Sequence, residues 1–108
     1  MTTHRGRQGR LRPKDVSHTW PNDRIDDPVY EALRQLALNL RDVIRVRQVR
    51  GSGTVSSFAN ELGINPGPIQ NFLNGTAIID TFTLAGIETD IGITLWPRHQ
   101  RLGYDQLW

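Results

Sequence analysis

The chain has 108 residues and no cysteine. That is enough for one domain with its own core, and it excludes disulfide frameworks, thiolate zinc sites and cysteine nucleophiles. No stretch approaches the roughly 18 apolar residues of a membrane span. The net charge is only +2, but it is distributed in blocks of alternating sign, a pattern that suggests surfaces with separate jobs.

Residues 1–26 read as a flexible arm, basic and then acidic. Arg5, Arg7, Arg10, Arg12 and Lys14 stand without an acid, and residues 15–31 then hold five acids against Arg24. The opening "MTTHRGRQGRLRPK" has no apolar run behind its basic residues and is not a secretory signal. Only Val16, Trp20 and Ile25 can anchor this segment. On charge alone a solvated tail is the simplest account of it.

The first helix is predicted from Pro28, with Asp27 as its cap and proline at a position whose N–H needs no partner. Val29, Leu33, Leu36, Leu40 and Val43 recur at helical spacing, flanked by Ala37 and Ile44, and Gly51 and Gly53 end the run. Arg34, Arg41 and Arg45 fall in one stripe beside that apolar face. The stripe is either a solvated flank or a row of phosphate contacts, and spacing does not decide between them.

A second helix fits "TVSSFANELG", capped by Thr54, with Phe58, Ala59 and Leu62 inward and Gly63 ending it in the left-handed conformation. Ile64 plugs the turn. Asn65 then caps a third helix, Pro66 to Asn74, whose Ile69, Phe72 and Leu73 cluster on one side. Gly67, Gln70, Asn71 and Asn74 stand on the other. Asp80 is expected to cap a fourth helix to about Ile91, with Phe82, Leu84, Ile87 and Ile91 inward. Trp96 is expected on the core. Residues 97–108 form a tail that carries Leu102, Tyr104, Leu107 and Trp108.

Signs of catalysis are weak. His4, His18 and His99 are scattered, with no acid pairing or metal spacing. Asp23, Asp26 and Asp27 match no calcium loop. Capping and helix-dipole complementarity account better for Asp26 and Asp27. No enzyme activity, metal or cofactor is expected.

The run from Leu40 to Trp96 resembles the lambda-repressor-like helix-turn-helix family of phage and bacterial regulators. The resemblance rests on Thr54, Ala59, the Gly63–Ile64 turn, Ile69, Phe72, Leu73 and the Asn74–Gly75 ending. It implies an all-α, compact four- to five-helix domain over residues 27–96 that binds double-stranded DNA in the bacterial or phage-infected cytoplasm. It also implies base reading by Gly67, Gln70 and Asn71 and a phosphate contact at Asn74. The polar residue with which the family touches phosphate at the start of helix two is replaced here by Val55, which cannot make that bond.

Helix three itself carries no Lys or Arg. Phosphate affinity is therefore expected from Arg5, Arg7, Arg10, Arg12 and Lys14 in the arm and from Arg34, Arg41 and Arg45. A homodimer is expected, with Trp96, Leu102, Tyr104, Leu107 and Trp108 at or near its contact. The rival reading is a protein-interaction module on the same fold, such as an antitoxin, antirepressor or co-regulator.

Overall fold

The computed structural model describes residues 11–49 and 54–97, excluding the side chains of residues 48 and 49. Five helices occur among them, α1 (Pro13–Val16), α2 (Pro28–Val49), α3 (Val55–Leu62), α4 (Gly67–Asn74) and α5 (Thr81–Ile91), and no strand. None of these helices is long and apolar enough to cross a membrane.

The long helix α2 is the spine on which α1, α3 and α4 pack. Its start is set by Asp27, whose carboxylate accepts the N–H groups of Val29 (2.8 Å) and Tyr30 (3.3 Å). Leu33, Leu36, Ala37, Leu40 and Ile44 are buried along one face. They meet Phe58 and Ala59 of α3, Ile69 and Phe72 of α4, and Ile79, Ile87 and Leu95. Phe58 and Phe72 are wholly buried, and each such side chain contributes roughly 1.5–3 kcal/mol relative to exposure.

The short helices are delimited by local chemistry. The Thr54 hydroxyl accepts the Ser57 N–H at 3.0 Å. Gly63 then adopts φ 71° and closes α3, with the N–H of Gly63 bonded to Asn60 and that of Ile64 to Ala59. These paired bonds satisfy carbonyls that a helix end otherwise leaves orphaned. At α5 the Asp80 carboxylate accepts the N–H and the hydroxyl of Thr83, both at 2.7 Å. The Thr83 N–H, and then its hydroxyl, hold the Asp80 carboxyl below its ordinary range.

Three expectations about packing are corrected. Val29 is half exposed, and Tyr30 turns inward instead, because the N-terminal segment packs on the Tyr30 side and receives the Tyr30 hydroxyl on the Leu11 carbonyl at 2.8 Å. Phe82 is 89% exposed; at 100° per residue it lies opposite Leu84 on α5. Trp96 is 42% exposed, and its neighbour Leu95 fills the core at 1%. Leu95 is held there by a bond from Asn39 Nδ2 to its carbonyl (2.8 Å) and by its own N–H, which donates to the Glu88 carboxylate (2.6 Å).

The flexible-arm reading of residues 1–26 is also corrected where it can be followed. Residues 1–10 lie outside the described residues, but 11–26 are built into the domain. Pro13, Trp20, Pro21 and Ile25 are buried. The Trp20 indole N–H donates to the Phe72 carbonyl at 3.0 Å, and its ring meets the Phe72 ring edge-on at 5.9 Å.

Candidate nucleic-acid interface

The site is built on α3, the turn Gly63–Pro66 and α4. Ile64 is half-buried and packs toward the core from within the turn. Pro66 precedes α4 rather than opening it, with φ −71° and ψ −20°. Pro68 is the second helical residue. Proline here removes N–H groups that have no acceptor inside the helix. The intervening Gly67 N–H is taken by the Asn65 side chain at 2.8 Å. The start of α4 therefore presents fewer free backbone donors than the anion-binding helix ends described for phosphate sites.

The two faces of α4 are sharply divided. Ile69 and Phe72 are wholly buried, while Gln70, Asn71 and Asn74 are exposed and Gly67 is half-buried. Among the described residues, the amides of Gln70, Asn71 and Asn74 make no hydrogen bond. Val55, at the start of α3, packs half-buried against the core.

At the far end, Gly75 closes α4 with φ 81°. Its N–H bonds to Phe72 (3.0 Å) and the Thr76 N–H to Asn71 (2.9 Å). The Lys14 N–H donates to the Gly75 carbonyl at 3.0 Å. A Cβ on Gly75 would stand 2.9 Å from both Lys14 Cβ and Trp20 Cδ1. The N-terminal segment thus lies directly on the end of α4.

The predicted phosphate ligands separate into different environments. Arg34 is corrected: its side chain is only 14% exposed and its guanidinium is spent inside the fold, on both Glu31 oxygens (2.8 Å each) and the Pro21 carbonyl (3.3 Å). Arg34 holds the Glu31 carboxyl down to about 2, assisted by the Ile25 N–H and Gln35. Arg41 is half-buried, and its Nε has no hydrogen-bond partner among the described residues.

Arg45 is exposed, 3.4 Å from Asp42. Arg12 forks onto Asp15 at 2.8 and 2.9 Å across open surface, which lowers the Asp15 carboxyl and raises the Arg12 guanidinium. Lys14 is exposed and has no ion pair among the described residues. Arg5, Arg7 and Arg10 lie outside the described residues, as do Leu102, Tyr104, Leu107 and Trp108.

Two features were not anticipated. Arg47 links α2 to α3, bonding Glu61 at 2.8 Å while lying 5.7 Å from the Phe58 ring centre. Phe82, with Ala85, forms an exposed apolar strip on α5, and Trp96 lines a shallow groove with Thr81, Leu84, Ala85 and Glu88. The signal for Phe82 was its phase, opposite Leu84; Arg47 offered none. No family model, curated protein or solved structure matches this chain.

Proposed function

We propose that this chain is a sequence-specific double-stranded DNA-binding transcriptional regulator of the lambda-repressor-like helix-turn-helix kind, a phage- or mobile-element-type repressor. In this reading α4 enters the major groove. Gln70 and Asn71 contact base edges, with Gly67 close to the groove, and an amide making a bidentate contact to adenine contributes roughly 1–3 kcal/mol of discrimination. Lys14, Arg45 and Asn74 contact phosphates, joined by Arg12 when it exchanges Asp15 for the backbone and by Arg5, Arg7 and Arg10. The protein acts as a homodimer.

The observation that supports this reading is the divided α4. One face is locked into the core by Ile69 and Phe72, and the other offers the exposed side-chain amides of Gln70, Asn71 and Asn74, which make no hydrogen bond among the described residues. The test is titration on a selected site and a scrambled duplex at several salt concentrations. Deleting residues 1–10 should weaken both alike and flatten the salt slope by roughly 0.9 for each phosphate that is no longer neutralised. Asn71→Ala should cost about 1–3 kcal/mol on the selected site alone and leave the slope nearly unchanged. Discrimination intact in Asn71→Ala but relaxed by the truncation would make the arm the reader and α4 a spacer.

A second reading is favoured by Phe82, 89% exposed, with Trp96 and the exposed Val46 and Ile93. Together with an uncharged α4, these residues suit a protein-interaction module such as an antitoxin, antirepressor or co-regulator. A parent chain that fails to bind random-sequence duplex at low salt would select that reading.

A further inference from the structure

We propose that Lys14 and Asn74 form one composite phosphate-binding site at the C-terminal end of α4, with the packed segment of residues 11–26 acting as the brace that holds the two together. The inference rests on the DNA-binding reading above, in which Lys14 and Asn74 each contact phosphate, and adds that the two converge on a single backbone phosphate.

The brace is fastened at several separate points. The Lys14 N–H is bonded to the Gly75 carbonyl at 3.0 Å. Trp20 donates to the Phe72 carbonyl at 3.0 Å and is itself buried. Pro13 is wholly buried, and the Leu11 carbonyl accepts the Tyr30 hydroxyl at 2.8 Å. Glycine at position 75 permits this approach, since a Cβ there would stand 2.9 Å from Lys14 Cβ. The backbone of Lys14 is therefore held in place while its side chain stays exposed.

Charge and chemistry agree with this geometry. Lys14 stands against the residue that follows Asn74, and both side chains are exposed. An ammonium on a flexible four-carbon stem is a point charge that suits a phosphate, and an amide N–H adds a directional bond. The position also matters because α4 has no charge of its own and its N-terminal donors are depleted by Pro66, Pro68 and the Asn65–Gly67 bond. The cation that α4 lacks is supplied at its opposite end. A merely structural role for Lys14 would be to offset the negative end of the α4 dipole.

The experiment uses the full chain with Lys14→Gln, Asn74→Ala, the double variant and Arg45→Gln. Binding to a random-sequence duplex is measured at several salt concentrations, together with ethylation interference on a selected site. Lys14→Gln should weaken binding to every sequence and reduce the slope of log affinity against log salt by roughly 0.9. The losses from Lys14→Gln and Asn74→Ala should be less than multiplicative in the double variant, and both variants should abolish interference at the same phosphate. Lys14→Gln and Arg45→Gln should instead combine multiplicatively.

An unchanged salt slope in Lys14→Gln with a lowered melting temperature would reduce Lys14 to a helix-end charge and overturn the site. Interference abolished at two different phosphates would overturn it as well. A parent chain that shows no salt-dependent DNA binding would overturn the DNA reading itself, a result distinct from either of these.

Discussion

Replacing Glu31 by glutamine should remove a large part of the attachment of the N-terminal segment. The carboxylate receives both Arg34 donors at 2.8 Å, the Ile25 N–H at 2.8 Å and Gln35 at 3.0 Å. Glu31 is only 13% exposed and is held to about 2, against an ordinary 4.5. A depressed carboxyl means that the unfolded chain binds the proton more tightly than the native one. The stabilisation is therefore complete above about pH 4.5 and is lost as pH falls toward 2.

At about 1.4 kcal/mol per pH unit that interval is worth about 3 kcal/mol, trimmed to about 2–3 by partial contact with water. Glu31→Gln retains an oxygen for Ile25 but turns an N–H₂ group toward Arg34, so it should lose about that amount at neutral pH. The melting temperature should fall by about 10–20 °C. Urea denaturation of parent and variant, followed by circular dichroism from pH 7 to pH 2, measures this. Asp15 and Asp80 are also depressed but are common to both proteins, and they cancel in the difference. Equal stabilities at pH 7, or a gap that does not close toward pH 2, would refute the reasoning.

Gly75→Ala and Gly63→Ala both place a side chain at positive φ, which costs roughly 1–2 kcal/mol. Only Gly75 also meets Lys14 and Trp20 at 2.9 Å, while Gly63 has nothing within 4 Å. Thermal melts should show Gly75→Ala as clearly the less stable, and equal losses would mean that residues 11–26 do not press on α4. Phe82→Ser should leave stability within about 0.5 kcal/mol of the parent in urea denaturation. A large stability loss would place the ring inside the domain. Asn39→Ala, which frees the Leu95 carbonyl, should destabilise by about 1–2 kcal/mol, and an unchanged urea midpoint would contradict the anchoring of Leu95.

What is legible in the sequence is written in short-range chemistry. Asp27, Thr54, Asn65 and Asp80 bond to N–H groups two or three residues away, and Gly63 and Gly75 end their helices locally, so the sequence contains both partners of each contact. The i, i+3 pairing of Ile69 and Phe72 identifies the buried face of α4, and with it the exposed one. In the N-terminal segment the anchors Val16, Trp20 and Ile25 are legible from their hydrophobicity, and Trp20 and Ile25 are buried; where they dock is not, because with Pro13 and Pro21 they follow no period and the bond of Trp20 goes to Phe72, 52 positions on. Arg34 looks like a free cation because a stripe of arginines records position on a helix and not which acid each one meets. For Phe82 the phase is available and argues against burial, but hydrophobicity alone points the other way.

The bond from Trp20 to Phe72 joins residues 52 positions apart. A contact that closes so long a loop is costly in chain entropy and forms late relative to local helical turns. During synthesis, residues 11–26 emerge first but have nothing to dock against until residues 72–75 follow. In the finished protein the same linkage should couple residues 11–26 to α4, so that the two open together. Amide protons near Trp20 should then exchange in step with those at the end of α4, and loosening either one should speed both.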